Sequence, residues 1–276
     1  MTGTLTPTST SAEDWMLEEA QRAAAAERLR AAERDRAPIG PLTESFPDID
    51  VVDAYEIQLA GIRGRLAAGA RVFGHKVGLS SLVMQQMMGV DEPDYGHLLD
   101  DMVLSEDVPI QADRYCHPRI EVEIGYVLGA SLPGEGCTEA DVLAATEYVV
   151  PSIELIDSRI RDWKIGLADT IADNASSAGV LLGAARLSPA ELNPADVEAV
   201  LYQDGQEVAR GNTSAVLGNP TTAVAWLARK VASFGVKLEA GHVILPGSCT
   251  RAIDVRPGDT FRAEFARLGS VTARFA

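Results

Sequence analysis

Alternating side-chain types predict a β-strand at residues 119–127, where isoleucine, valine and tyrosine flank Glu121 and Glu123. Successive side chains point to opposite faces of a strand, so these two carboxylates are expected to share one face. A second strand-like run, at residues 149–156, places Glu154 between apolar neighbours. Charged carboxylates are almost never fully buried without a partner, so buried glutamates in these strands would need one.

Two explanations fit the three glutamates. A glutamate pair on a strand is commonly a solvated face, whereas a divalent metal bound by Glu121, Glu123 and Glu154 would remove the repulsion between them. The set contains no histidine or cysteine, and oxygen ligands favour Mg²⁺ or Mn²⁺, with Ca²⁺ as a further candidate, over Zn²⁺ or Cu²⁺. Three ligands leave about half of an octahedral shell for water and substrate, which suits catalysis.

Helical patterns dominate the N-terminal part of the chain, and strand patterns dominate the rest. From residue 98 onward, short apolar runs alternate with Pro/Gly turns. Asp50 or Asp53 is expected to begin the second helix, and residues 89–96 read as a turn-rich loop. The predicted helices are residues 12–36, 51–68, 82–88, 139–148, 189–200 and 221–234, with a strand at 73–79 and a hairpin at 201–208.

The order of these elements predicts an α+β fold. A Thr/Ser-rich tail at residues 1–11 is expected to be disordered. A small helical N-terminal region at residues 12–70 is expected to precede a β-rich catalytic domain at residues 71–276. A chain of 276 residues is long enough to bury a sizeable core.

The charge of the chain limits its partners. The net charge of −16, from 24 basic and 40 acidic residues, argues against binding to nucleic acid or to an anionic membrane surface. The three cysteines show neither disulfide nor zinc spacing, and no apolar run is long enough to span a membrane. The N-terminus lacks the apolar core of a signal peptide. We therefore expect a cytoplasmic protein with free thiols.

Two further segments carry candidate site residues. Lys76 lies between Gly74 and Gly78, and glycines let the backbone approach a ligand closely. Such a lysine could bind a carboxylate or act as an acid/base group with a lowered pKa, although most lysines are surface residues. The turn at residues 246–250 contains Ser248, whose hydroxyl would suit the rim of a pocket. The sequence shows no defensible hydrolytic triad, no P-loop and no Gly-x-Gly-x-x-Gly.

Six ordered motifs together resemble the 2-keto-4-pentenoate hydratase family of the fumarylacetoacetate hydrolase superfamily. The resemblance covers roughly residues 50–276 and is carried by the whole set, since each motif alone is weak. The motifs are GHKVGL at 74–79, GVDEPDYG at 89–96, RIEVEI at 119–124, IELIDSRI at 153–160, DWK at 162–164 and DTIADNASS at 169–177.

The resemblance implies a fold and a set of site residues. The fold would be a β-roll of mixed sheets with flanking helices. The metal ligands would be Glu121, Glu123 and Glu154, usually with Mg²⁺ or Mn²⁺. Lys76 and Asp94 match residues proposed for proton transfer, with the roles of the two left open. Candidate substrate contacts are Gly78, Leu79, Ser176 and Ser248.

The resemblance also implies an activity. The substrate would be 2-hydroxypenta-2,4-dienoate or a longer homologue from the meta-cleavage of aromatic or steroid rings, and water addition would give a 4-hydroxy-2-oxo acid. A 4-oxalocrotonate decarboxylase is the nearest alternative, although residues 162–165 look more like the hydratase version of that segment. A scaffolding subunit that binds the decarboxylase is a further alternative. Relatives form homo-oligomers, often pentamers stacked into decamers, and association with a pathway enzyme is also expected.

Overall fold

The computed structural model describes residues 17–276, apart from the side chains of Val83, Met87 and Met88. The expected disordered tail at residues 1–11 and the first part of the predicted N-terminal helix lie outside the described residues. The α-helices are α1 (Glu19–Asp35), α2 (Leu42–Ser45), α3 (Val51–Ala67), α4 (Leu82–Met88), α5 (Glu139–Ala145), α6 (Leu167–Ala172) and α7 (Pro220–Ala232). The strands are β1 (Val72–Gly78), β2 (Asp94–Leu99), β3 (Arg119–Leu128), β4 (Thr146–Ile156), β5 (Ser177–Leu182), β6 (Glu198–Gln203), β7 (Gln206–Asn212), β8 (Val243–Leu245), β9 (Ile253–Asp254), β10 (Thr260–Phe265) and β11 (Gly269–Arg274).

Two sheets form within residues 17–276. The larger sheet has seven strands in the order β2-β1-β8-β3-β4-β5, with β9 paired to β3. It is mixed, because β1 runs parallel to β8 and antiparallel to β2. The smaller sheet has four antiparallel strands in the order β11-β10-β6-β7. One mixed sheet, one antiparallel sheet and the flanking helices confirm the predicted α+β class.

Local sequence signals explain most element boundaries. Helix α3 begins after Asp50, whose carboxylate accepts a hydrogen bond from the backbone N–H of Asp53 at 2.8 Å. The hairpin of β6 and β7 turns through Asp204 and Gly205, which both have positive φ angles (50° and 81°), as a type I′ turn requires. Helices α1 and α3 share one hydrophobic core with the large sheet and α7, in which Tyr55 of α3 packs against Tyr95 and Phe234.

One predicted helix and two predicted boundaries were wrong. The helix predicted at 139–148 ends at Ala145, because Thr146 turns its hydroxyl back to the carbonyl of Val142 at 2.7 Å and the β-branched residues that follow extend β4. Turns and the start of β6 replace the helix predicted at 189–200. The end of the loop predicted at 89–96 is β2, which starts at Asp94 and pairs with β1.

Three of the four histidines form a cluster, in which His75 and His97 are buried and His242 is half-buried. The ring centroid of His75 lies 4.8 Å from that of His97 and 5.5 Å from that of His242. Burial lowers the pKa of all three groups, to about 4 for His97 and well below the ordinary value for His75, where the neighbouring histidines add to the effect. The folded protein therefore holds the rings of His75 and His97 neutral at the pH where a free histidine takes up a proton.

The histidine cluster predicts a loss of stability as the pH falls from 6.5 to about 4. Unfolded histidines take up protons in this window while the folded ones do not, so acid favours unfolding. For His97 the effect corresponds to about 3 kcal/mol between the two pH values. His75→Phe removes one such group and is expected to flatten the dependence of the melting temperature on pH in Mg²⁺ buffer. The buried carboxylates are the same in both proteins and therefore do not contribute to the difference between their slopes. An unchanged slope would contradict this prediction.

None of the helices between residues 17 and 276 combines the length and the apolar character that a membrane crossing requires.

Candidate active site

The register of β3 and β4 brings the three predicted glutamates together. Glu121 lies directly opposite Glu154 in the antiparallel pair, and Glu123 lies one alternation further along the same face. Each residue offers a carboxylate oxygen, and these oxygens lie within 4.8 Å of one another. Like charges directly opposite each other in a sheet are destabilising. The carboxylate cluster that this register creates therefore needs a positive partner.

The burial of the cluster strengthens this requirement. Glu123 and Glu154 are fully buried and Glu121 is half-buried. Neither oxygen of Glu154 accepts a hydrogen bond within the described residues, and Oε1 of Glu123 is also unpaired there. Burial and the neighbouring carboxylates raise the pKa of Glu123 well above its ordinary value, and burial raises that of Glu121 to about 7. A cation would reverse these shifts, and an all-carboxylate donor set fits Mg²⁺, Mn²⁺ or Ca²⁺.

Lys76 supplies a buried ammonium beside the glutamates. Its Nζ lies 3.5 Å from Oε2 of Glu154 and donates to the carbonyl of Ala175 at 2.9 Å. Burial alone lowers the pKa of Lys76, but the four carboxyls of Glu154, Asp94, Glu121 and Glu123 together raise it above its ordinary value. Without a bound metal, the raised pKa of Lys76 therefore favours the first of its two predicted roles, a charged group that can bind a carboxylate, because strands that are distant in sequence surround it with acids.

Asp94 lies next to Lys76 on the neighbouring strand. It is 3% exposed and faces Gly78 in the pairing of β1 and β2. Oδ2 of Asp94 accepts a hydrogen bond from the hydroxyl of Thr170 at 2.7 Å, and its Oδ1 has no partner within the described residues. A Cβ atom added to Gly78 would lie 2.0 Å from this Oδ1 and 3.2 Å from Nζ of Lys76. The absence of a side chain at Gly78 thus leaves room where the two catalytic candidates meet.

Gly78→Ala is expected to lower kcat on the order of 100-fold, because the added methyl group must displace the Asp94 carboxylate and misplacements of about 1 Å cost that much. Gly61→Ala is the matched control, since a Cβ atom there meets nothing within 4 Å. Steady-state kinetics of both variants, with melting temperatures as a check on folding, test the prediction. Equal kcat values for the two variants would show that the gap at Gly78 is not needed.

A strained turn forms the wall next to Lys76. Asn174, Ala175 and Ser176 are consecutive non-glycine residues with positive φ angles of 53°, 49° and 57°. Left-handed backbone costs roughly 1–2 kcal/mol per residue and concentrates at functional sites. The side chain of Asn174 holds the turn by bonding both the N–H and the C=O of His97, at 2.8 and 2.9 Å. The buried hydroxyl of Ser176 has no partner within the described residues.

The loop at residues 246–250 closes the other side of the glutamate cluster. The backbone N–H of Gly247 donates to Oε2 of Glu123 at 2.7 Å. Gly247 has a φ angle of 118°, and a Cβ atom there would lie 1.8 Å from the hydroxyl of Ser80. The hydroxyl of Ser248 accepts from the N–H of Val122 at 3.1 Å and contacts the carbonyl of Thr250 at 3.0 Å. Ser248 is therefore engaged in attaching this loop to β3.

The structure places the remaining candidate, Leu79, directly after β1 with a φ angle of 51°, so the backbone turns sharply at the site. Sequence reasoning missed two contributors: the hydroxyl of Thr170 and the N–H of Gly247. Thr170 lies inside the motif at residues 169–177. Its position next to apolar residues in that motif could have indicated a buried hydroxyl group. The Gly247 N–H had no such signal, because any residue except proline carries one.

The comparisons with known proteins agree with this fold and site. The family model described as "Fumarylacetoacetate (FAA) hydrolase C-terminal" matches residues 80–276. The chain belongs to the fumarylacetoacetate hydrolase family. A 2-keto-4-pentenoate hydratase of Paraburkholderia xenovorans (strain LB400) is 44% identical over 255 residues, covering 92% of this chain and 95% of the relative. The resemblance to that hydratase family is thus confirmed.

Two further relatives bear on substrate and metal. A 2-oxo-hept-4-ene-1,7-dioate hydratase of Escherichia coli is 43% identical over 258 residues, covering 91% of this chain and 96% of the relative. The solved structure of a 4-oxalocrotonate decarboxylase from Pseudomonas putida G7, complexed with magnesium and adipate, superposes with a TM-score of 0.92 and 38% identity. The superposition covers 95% of this chain and 99% of the decarboxylase chain.

Proposed function

We propose that this protein is a metal-dependent hydratase. It adds water to 2-hydroxypenta-2,4-dienoate, or to a longer 2-hydroxy-2,4-dienoate, and yields a 4-hydroxy-2-oxo acid in the meta-cleavage catabolism of aromatic or steroid rings. The observation that carries the proposal is the cluster of Glu121, Glu123 and Glu154 beside Lys76, in a chain 43% and 44% identical to two hydratases. Three buried oxygens of Glu123 and Glu154 accept no hydrogen bond within the described residues.

The three glutamates hold a divalent cation in this proposal. Their unpaired buried oxygens and mutual repulsion support it, as does the magnesium in the related decarboxylase. We propose Mg²⁺ or Mn²⁺ as the physiological ion, because hard carboxylate ligands suit both. The ion would supply a Lewis acid that draws electrons toward the C1–C2 end of the substrate.

The protein's own groups move the protons. Lys76 places a buried ammonium next to the glutamate cluster, with Nζ 3.5 Å from Glu154, so we assign it the role of the proton donor to C5 of the dienol. Asp94 has a free buried oxygen, Oδ1, and we assign it the acceptor that takes a proton from the water adding at C4. The C2 hydroxyl loses its proton when C5 is protonated, and this proton restores Lys76. The proton that Asp94 takes from water passes on to C3, so the product differs from the substrate by one water.

The substrate contacts come from the segments that surround this pair. We propose that Gly78 and Leu79 line the substrate chain and that the free hydroxyl of Ser176 binds one of its oxygens. Ser248 acts indirectly, by fixing the loop that presents the N–H of Gly247 to Glu123. All of these residues fall in the proposed catalytic domain at residues 71–276, and residues 12–70 form the proposed helical region.

A substrate panel tests the proposed activity. The purified protein is given 2-hydroxypenta-2,4-dienoate, its longer homologues and 2-oxo-3-hexenedioate, and kcat/KM is measured for each. The proposal expects a dienoate to be the best substrate. A decarboxylase is the second candidate, favoured by the TM-score of 0.92 to the decarboxylase structure, and it predicts CO₂ release from 2-oxo-3-hexenedioate instead.

Three proposals concern the setting of the enzyme. We propose a cytoplasmic location, assembly into a homo-oligomer such as a pentamer or decamer, and association with the decarboxylase of the same pathway. A purely scaffolding role predicts stable association with the decarboxylase and no turnover by the isolated chain. Light scattering of the purified protein, alone and with the partner enzyme, tests assembly separately from activity.

A further inference from the structure

The two oxygens of the Asp94 carboxylate lie in different surroundings. Oδ2 accepts a hydrogen bond from the hydroxyl of Thr170 at 2.7 Å, and both residues are 3% exposed. Oδ1 is equally buried but accepts no hydrogen bond within the described residues. A buried oxygen without a hydrogen-bond partner costs free energy, and rotation of the carboxylate could relieve that cost. An interaction must therefore hold the Asp94 carboxylate in this orientation.

The gap beside Gly78 shows where the free oxygen points. A Cβ atom at Gly78 would lie 2.0 Å from Oδ1 of Asp94 and 3.2 Å from Nζ of Lys76. The free oxygen and the ammonium of Lys76 therefore border the same small space. The terminal torsion of an aspartate is broad and nearly two-fold, so without a fixed partner for Oδ2 the carboxylate could turn away from this space.

We propose that Thr170 is a positioning residue that reserves Oδ1 of Asp94 for the reacting molecule. The hydroxyl of Thr170 occupies Oδ2, which fixes the plane of the carboxylate and leaves Oδ1 as the free proton acceptor. Thr170 itself touches no reacting atom. This inference rests on the proposed hydratase function, in which Asp94 takes a proton from water.

A buried glutamine holds the backbones that carry this pair. Gln58 of α3 donates through Nε2 to the carbonyls of Tyr95 and Ile171, at 2.9 and 2.7 Å. These residues directly follow Asp94 in β2 and Thr170 in α6. One amide group from the helical N-terminal region thus sets the spacing between the strand and the helix. Both N–H groups of Gln58 are used by these carbonyls, which leaves Oε1 as the acceptor of the amide. This Oε1 lies 2.9 Å from Nδ1 of His97.

Thr170→Val and Thr170→Ser form the matched pair that tests the proposal. Valine has the shape of threonine without the hydroxyl, and serine keeps the hydroxyl. Loss of a hydrogen bond to a charged group predicts a kcat roughly 10- to 100-fold lower for Thr170→Val, with KM and Mn²⁺ affinity unchanged. Thr170→Ser is expected to recover most of the wild-type kcat. Equal kcat values for wild type and Thr170→Val, or equal losses in both variants, would overturn the proposal.

A double-mutant cycle separates positioning from general damage. If Thr170 acts through Asp94, adding Thr170→Val to Asp94→Ala should change kcat by no more than about twofold. The same loss in both backgrounds would mean that Thr170 acts independently, which contradicts the proposal. The wild-type protein is assayed alongside with the dienoate. Its failure to hydrate would refute the proposed function, whereas normal wild-type turnover with an unaffected Thr170→Val would refute this inference alone.

Discussion

Glu123→Gln is expected to lose both metal binding and turnover while remaining folded. Glu123 is fully buried, and burial and the neighbouring carboxylates raise its pKa well above the ordinary value, which favours the neutral form when no metal is bound. Glutamine has the same shape as the neutral form and can still accept the N–H of Gly247 through its amide oxygen. The melting temperature without metal should therefore stay close to that of the wild type.

Added metal should change the melting temperature of the wild type but not that of Glu123→Gln. A ligand at 100 times its Kd stabilises the folded state by about 2.7 kcal/mol, so saturating Mn²⁺ should raise the melting temperature of the wild type clearly. The variant should show no such rise, because an uncharged amide replaces one of three anionic ligands. Mutating a residue that only supports a metal ligand typically lowers metal affinity roughly 10- to 100-fold. Because Glu123 is itself a proposed ligand, the Mn²⁺ affinity of Glu123→Gln should fall by more than this.

Glu147→Gln is the matched control for this experiment, since Glu147 lies on β4 with Glu154 but is exposed. It should keep both metal binding and turnover. Wild-type turnover by Glu123→Gln, or an unchanged response of its melting temperature to Mn²⁺, would show that the glutamate cluster is not the metal site.

Lys76→Met is expected to lower kcat by roughly 10²- to 10⁴-fold, the range that a proton-transferring group contributes. Methionine fills the space of the lysine stem without its charge, so the buried site should not collapse. The three carboxylate ligands remain, and metal binding is expected to persist. Separate measurements of kcat and of Mn²⁺ binding distinguish this outcome from the loss of both that is expected for Glu123→Gln.

Lys230→Met provides the comparison for Lys76→Met. Lys230 pairs with Glu92 at 2.8 Å, and both side chains are partly exposed, so loss of this ion pair should cost little. Turnover by Lys76→Met at the level of Lys230→Met would remove Lys76 from the mechanism and return it to an ordinary counter-ion of Glu154.

The sequence predicted the glutamate ligands because strand alternation is a local rule. Glu121 and Glu123 had to share a face once their segment formed a strand. Their closeness to Glu154 depends on the register of β3 against β4, which no local pattern contains. The resemblance to a known family supplied that step, and it also singled out Asp94.

Interactions between distant segments account for what the sequence did not predict. The raised pKa of Lys76 depends on acids from three other strands, which outweigh the burial that a local reading emphasises. The bond from Thr170 to Asp94 joins residues 76 positions apart. The helix expected at 189–200 failed because its end pairs with β10 as β6, and tertiary pairing overrides helix propensity.

The most direct test of the central claim is the reaction with freshly generated 2-hydroxypenta-2,4-dienoate, with Mg²⁺ and after chelation. The loss of the ultraviolet absorbance of the dienol is followed, and the product is identified by mass. The account predicts a product heavier by one water, formed only when a divalent metal is present. A product lighter by CO₂, no product at all, or the same rate in chelated buffer would contradict it.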